Sequence, residues 1–258
     1  MSRAIQSQFS KTGYAIEKGV FTDAEIETLE NEFDQIVTQL KKSGENINAR
    51  WGSDLTRHIE DSDSEVIHTH NIQSYSSIML NMVQNETLLD FAESIMGPDI
   101  ILHHTKLFCK PPKKGSAFPL HQDWSYFPTQ KNSMIAAVVH LSESTEDMGC
   151  FRVVPESHKL GEIKNSDGHS QVPEIHDFYS LETALPIEAE KGDVLFFHCC
   201  TIHGSMPNKS DHSRKTILIQ LYSGKDTIVD ENQHTNVQLV LRGWNYQATR
   251  ESIGNIKS

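Results

Sequence analysis

Two hydrophobic rhythms divide the chain. Ile26, Leu29, Phe33, Ile36, Val37 and Leu40 recur at the spacing of one helix face, and Gly44 ends the pattern. Thr22-Asp23-Ala24-Glu25 opens that stretch with a capping box, in which Thr22 and Glu25 satisfy each other's free backbone amides. A second helix is predicted over 86–96, with Asn85 as N-cap, Leu88, Leu89, Phe91 and Ile95 facing inward, and Gly97-Pro98 as the stop. Beyond Pro98 the texture changes to short apolar runs at 100–110, 134–141, 150–154, 193–197 and 216–222, which read as strands. Glycines and prolines punctuate them, from Pro111-Pro112 to Gly204-Ser205. The polar run 161–183 reads as a loop or lid over a pocket. Short strands behind a helical start predict an α+β, mainly β fold: a jelly-roll barrel flanked by N-terminal helices. No linker separates two units, so one domain is expected over 1–258. Its parts would be a helical region to about 97, a core over about 98–225 and an extension over about 226–258.

Composition narrows the function classes. Of 258 residues, 37% are hydrophobic and 22% charged, enough apolar material for a real core. The formal net charge of −12 argues against nonspecific nucleic-acid binding and against anionic membrane surfaces, both of which need clustered Lys and Arg. No run approaches the ~18 apolar residues of a membrane span. The first residues, Met1-Ser2-Arg3-Ala4-Ile5-Gln6, lack the apolar core of a signal peptide, and the last, Asn255-Ile256-Lys257-Ser258, are no Ser-Lys-Leu address. Cys109, Cys150, Cys199 and Cys200 form no CxxC pair, so a reducing, cytoplasmic setting is expected. Fourteen histidines raise the question of a metal.

His121-Gln122-Asp123 is the first candidate. At i and i+2 of a strand, an imidazole and a carboxylate share one face, two thirds of a 2-His-1-carboxylate triad. Fourteen histidines and fifteen aspartates make about one His-x-Asp expected by chance, so the motif alone says little. The second candidate is His203-Gly204-Ser205 with Arg214 eleven residues on. A strand pair joined by a turn would bring that imidazole and guanidinium into one pocket, where the guanidinium suits a carboxylate. Ile217, Leu218, Ile219 and Leu221 put Arg214 at the mouth of an apolar strand, which favours a buried partner over a surface acid. His198 competes with His203 but reads as a packed barrel histidine. His68-Thr69-His70 is a same-face pair that reads as structural before it reads as a pocket wall or second metal site. The remaining histidines, His169 and His234 among them, have no ligand-spaced partner.

Taken together, these residues resemble the phytanoyl-CoA dioxygenase family of Fe(II)/2-oxoglutarate-dependent oxygenases. The resemblance is carried by ordered blocks: HTKLFCKPP from His104, LHQDWSYFP from Leu120, GCFRVVPESH from Gly149, KGDVLFF from Lys191, and HGSMPNKS from His203 with Arg214. They span about half the chain. The resemblance implies a double-stranded β-helix core, iron held by His121, Asp123 and His203, and O₂ at an open position. It implies 2-oxoglutarate anchored by Arg214 with help from Ser205, and Gln122 near that cosubstrate. Lys106 falls where a relative carries Met beside the cosubstrate; it adds a second cation to that site or turns outward. A pocket Trp of relatives is replaced by Val138. Asp123 fills the position whose loss makes halogenases of some relatives, so hydroxylation-type chemistry is favoured.

Trp124 and Tyr126, directly after the motif, are candidate substrate contacts, whereas Phe127 reads as packing. Trp244 is a weaker candidate for a pocket cap. The acidic chain favours a small metabolite over an acyl-CoA with its several phosphates; a monomer or homodimer acting on a small molecule is expected. The alternatives are fatty acyl-CoA 2-hydroxylation and a catalytically idle, metal-binding cupin-like protein.

Overall fold

A computed structural model describes residues 2–49, 54–164, 172–229 and 235–254. The elements in chain order are α1 (Ser2–Thr12), β1 (Tyr14–Glu17), α2 (Asp23–Ser43), β2 (Ile67–His70), α3 (Ser77–Val83), α4 (Glu86–Met96) and β3 (Ile100–Lys110). They continue through β4 (Phe118–His121), β5 (Ile135–His140), β6 (Phe151–Val153), α5 (Pro173–His176), β7 (Leu185–Ile187), β8 (Val194–His198) and β9 (His203–Ser205) to β10 (Arg214–Ser223), β11 (Leu239–Arg242) and α6 (Arg250–Gly254).

The strands form two antiparallel sheets. The larger runs β1-β8-β5-β10-β3-β11, with β2 also paired to β3; the smaller runs β4-β9-β6-β7. This is the jelly-roll architecture, helices packed outside it. The first third is less purely helical than its periodicity implies, because β1 pairs with β8 and β2 with β3. The C-terminal stretch also enters the sheet, through β11 against β3. The middle of the polar run, 165–171, lies outside the described residues, as do His169 and His234.

Strand alternation sorts the large sheet into two faces. Leu107, Cys109, Ile135, Ala137, Val139, Phe196, Ile217 and Ile219 join Ile26, Leu29, Phe33, Leu88 and Leu89 of the helices in one core. The opposite face carries Lys106, Phe108, Leu218 and Arg214, which line a cavity between the sheets. One layer of apolar side chains thus anchors the sheet while its other face is left for chemistry.

The α2 cap is built as its sequence predicts. The Glu25 N–H donates to Thr22 Oγ1 at 3.3 Å, and the Thr22 N–H donates to Glu25 Oε2 at 2.8 Å. Thr22→Ala removes the side-chain acceptor and should lower unfolding free energy by about 1 kcal/mol in a urea titration. An unchanged midpoint would show that packing of Phe33 and its neighbours alone sets the helix start.

Candidate metal centre and cosubstrate pocket

Both sheets contribute to one cavity. From the small sheet come Phe118 and His121 of β4, Phe151 of β6, and His203, Gly204 and Ser205 of β9. From the large sheet come Lys106, Phe108, Phe197, Leu218 and Arg214. β4 and β9 pair with His121 opposite His203, which sets the two imidazoles side by side, ring centroids 4.3 Å apart. Gly204 is required between His203 and Ser205: a Cβ there would lie 2.7 Å from the Phe118 carbonyl oxygen.

His121 is the last residue of β4, and Asp123 begins a single 3₁₀ turn, so the two do not share a continuous strand. Their side chains nevertheless converge. Asp123 Oδ1 lies 3.6 Å from His121 Nε2 and 3.7 Å from His203 Nε2. Each ring donates its other N–H to a main-chain carbonyl: His121 Nδ1 to Pro119 at 2.8 Å, His203 Nδ1 to Thr201 at 2.9 Å. Those bonds assign the tautomer and leave both Nε2 lone pairs facing the carboxylate. Burial alone would raise the Asp123 pKa, but His203 and His121 hold it well below the usual carboxylate range. Burial, reinforced by His121, pushes His203 down to about 4, which keeps it neutral and able to ligate. Two imidazole nitrogens and one carboxylate oxygen, all within 4.8 Å of one another, are a donor set fit for a divalent transition metal.

Gln220 completes the carboxylate's surroundings. It stands alone as a polar residue among the apolar inward and outward neighbours of β10, and its Nε2 donates to Asp123 Oδ2 at 2.6 Å. That bond leaves Oδ1 for the metal. Gln220→Leu should weaken metal binding about 10–100-fold, the usual effect of losing an outer hydrogen-bond partner; a metal titration by calorimetry with an unchanged dissociation constant would remove Gln220 from that role.

At the other end of the cavity lies Arg214, 2% exposed, with its guanidinium 5.1 Å from the Phe151 ring centroid. Its Nη1 donates to the Gly149 carbonyl, while its Nε has no partner. Gly149 has φ +68°, and a Cβ there would lie 2.2 Å from the Met206 carbonyl oxygen, so only glycine brings that carbonyl so close. His203 and Arg214 are not on neighbouring strands, as their spacing implied. β9 belongs to the small sheet and β10 to the large one, and both side chains line the cavity between them.

The cation beside Arg214 is Lys110, which the sequence reading did not single out. Lys110 is the cross-strand partner of Arg214 and is fully buried. Its ammonium donates to Ser205 Oγ at 2.7 Å and to the Met206 carbonyl at 2.5 Å. Burial, then Arg214, pushes its pKa well below the ordinary lysine value. A guanidinium and an amine so placed, with no salt bridge to an acid among the described residues, have the chemistry to receive a carboxylate. Alternation along β3 holds the signal that could have found it: Lys106, Phe108 and Lys110 share one face.

Lys106 also lines the cavity, but four residues further along β3, opposite Leu218 rather than Arg214. Its ammonium lies 5.3 Å from the Phe127 ring centroid. Burial pushes it down to about 8, with Asp123 pulling the other way.

Three of the residues singled out in the sequence lie away from the cavity. Gln122 does not face the cosubstrate space: its Nε2 donates to the Gly161 and Cys200 carbonyls, and its Oε1 accepts from the Ile163 N–H. As the residue between His121 and Asp123 it points away from them and ties two loops together. Trp124 is absent from the cavity wall and packs with Ile101, Met134 and Tyr222. Trp244 is 67% exposed and caps nothing in the cavity. Tyr126 does line the cavity, edge-on to His121 at 5.8 Å. Phe127 packs against His104. His198, with Cys199 and Cys200, forms a second cluster of possible ligand atoms. Its Nδ1, however, accepts from the Cys200 N–H at 3.0 Å, and its ring packs near Phe9 and His158. His68 stacks on Phe108, a structural role.

Fold and site together define a jelly-roll whose cavity carries two imidazoles and a carboxylate that could hold a metal, and a buried guanidinium. The family model described as Phytanoyl-CoA dioxygenase (PhyH) matches residues 9–216, and the chain belongs to that family. It is 30% identical over 243 residues to the peroxisomal phytanoyl-CoA dioxygenase of Homo sapiens, covering 86% of this chain and 68% of that one. Against the Bos taurus enzyme it is 30% identical over 226 residues, covering 81% and 65%. The chain therefore spans about two thirds of the length of these relatives. The epimerase SnoN, solved with Fe3+, alpha ketoglutarate and nogalamycin RO, superposes with a TM-score of 0.74 at 18% identity, covering 93% of this chain and 98% of SnoN.

Proposed function

We propose that this chain is a non-haem Fe(II)/2-oxoglutarate-dependent dioxygenase that hydroxylates an aliphatic C–H of a small metabolite. The observation that carries the reading is the convergence of His121 Nε2, His203 Nε2 and Asp123 Oδ1, with both Nδ1 hydrogens tied back to carbonyls. Those three atoms would hold iron. When bound, iron and 2-oxoglutarate supply an oxidative decarboxylation, to succinate and CO₂, coupled to oxidation of the substrate C–H.

The chain's own part is placement. Arg214, with Ser205 and Lys110 beside it, takes the far carboxylate of 2-oxoglutarate and fixes its orientation along the cavity. Phe108, Phe118, Phe151 and Phe197 exclude water from the reacting space. Tyr126, edge-on to His121 at the cavity wall, would contact a substrate bound there.

The identity with phytanoyl-CoA dioxygenases favours a second reading, hydroxylation of a fatty acyl-CoA. Such a substrate needs free surface cations for its phosphates, and Lys113, Lys114 and Lys159 are each held by an acid: Asp211, Asp63 and Glu156. We also place the protein in the cytoplasm on the support of four unpaired, buried cysteines, and propose that it acts as a monomer or homodimer. No described helix is long and apolar enough to cross a membrane. Succinate release from 2-oxoglutarate on adding ferrous iron, with acyl-CoAs and small metabolites as arms, tests the reading. Turnover is expected without any CoA ester; turnover that requires one favours the second reading, and none under any condition leaves an idle metal-binding protein.

A further inference from the structure

Resting on that reading, we propose that the substrate carries an anionic group, a carboxylate or phosphonate, and that Lys106 is the residue that receives it. Lys106 is 8% exposed, yet it borders the cavity rather than the solvent. Its ammonium has no hydrogen-bond or salt-bridge partner among the described residues; its neighbour is the face of Phe127. An ammonium taken out of water with no counter-charge nearer than Asp123, a carboxylate that a bound metal would claim, is costly to bury, and an anionic ligand would offset that cost.

The charge balance of the cavity says which ligand. The charged residues of its wall are Asp123, Lys106 and Arg214. A divalent metal adds two positive charges, and 2-oxoglutarate brings two negative ones. Together with Asp123, the cosubstrate offsets the metal and Arg214; the charges left over are Lys110, behind Ser205 at the Arg214 end, and Lys106 at the other end. Position excludes the far carboxylate as its partner. Across β3 and β10, Arg214 faces Lys110, whereas Lys106 faces Leu218, four residues nearer the metal-side hydrogen bond from Gln220. At about 3.3 Å per residue that separates the two levels by ~13 Å along the strand. Lys106 therefore stands beside the metal end, where a substrate must lie for its C–H to react. The aromatic walls around it suit the short hydrocarbon of such a substrate, and the single cation suits one anionic head. Lys106 is thus a specificity-determining residue.

The test uses the full chain loaded with Mn(II), a redox-silent stand-in, and 2-oxoglutarate. The probes are hexanoate, hexylphosphonate and their uncharged and cationic analogues, hexanol and hexylammonium, with binding read by calorimetry. The wild type is expected to bind the anions at least ~10-fold more tightly than hexanol and to reject hexylammonium, since one buried charge pair is worth more than a decade of affinity. Lys106→Met should abolish that preference, and Lys106→Arg should restore part of it, with thermal melting showing that both variants fold. Two results would overturn the proposal: anions that bind the wild type no better than hexanol, or a Lys106→Met protein that loses 2-oxoglutarate binding while keeping its anion preference. Failure of the oxygenase reading would look different, as 2-oxoglutarate would not bind the Mn(II)-loaded wild type at all.

Discussion

Asp123→Ala is expected to abolish stoichiometric iron binding and, with it, every iron-dependent turnover of 2-oxoglutarate. The side chain contributes the one negative ligand, and the two imidazoles alone carry no charge to set against a divalent ion. Loss of an outer hydrogen-bond partner typically weakens a metal site about 10–100-fold, so loss of a ligand should exceed the upper end of that range. The vacancy would also leave Gln220 Nε2 without its acceptor inside a buried site. His121→Ala and His203→Ala should act in the same direction. Calorimetric titration with ferrous iron under anaerobic conditions checks all three. If Asp123→Ala retains one tightly bound iron per chain, the ligand assignment is wrong.

Arg214→Ala should raise the 2-oxoglutarate requirement by at least ~30-fold. Removing one partner of a buried, hydrogen-bonded charge pair costs about 2–5 kcal/mol, and about 1.4 kcal/mol is a decade of affinity. The lower end applies here because Lys110 stands directly across the strand pair and still offers an ammonium to the carboxylate. The double change Lys110→Met with Arg214→Ala should therefore lose more than either alone. Arg214→Lys should recover little, since an ammonium cannot reproduce a planar, two-toothed contact. The readout is the 2-oxoglutarate concentration at half-maximal succinate release. A requirement within threefold of the wild type would remove Arg214 from the anchor.

The elements that announced themselves in the sequence are those with a long, regular pattern. The helix from Asp23 carries six apolar positions on one face behind a capping box, and Asn85 and Gly97 bracket the helix at 86–96. The strands at 100–110 and 214–223 are long enough for β-rich composition to stand out. What escaped was short. β4 and β9 have four and three residues, too few for any period, yet they carry His121 and His203. The triad itself was readable only as ordered blocks, since a lone His-x-Asp is expected by chance. The link from His203 to Arg214 was drawn through the wrong geometry. Spacing along the chain cannot tell a hairpin from a crossing between two sheets, and the cavity, not a shared ladder, brings them together. Lys110 and Gln220 were passed over because a polar residue inside an apolar strand reads as noise until the strand's faces are assigned. Once β3 and β10 are paired, both fall on the face that looks into the cavity.

Anomalous diffraction at the iron edge, from crystals grown anaerobically with ferrous iron and 2-oxoglutarate, tests the central claim most directly. One iron peak bonded by His121, Asp123 and His203, with the distal carboxylate of the diacid on Arg214, is the predicted result. Iron at His198, Cys199 and Cys200 instead, or a diacid seated away from Arg214, would contradict it.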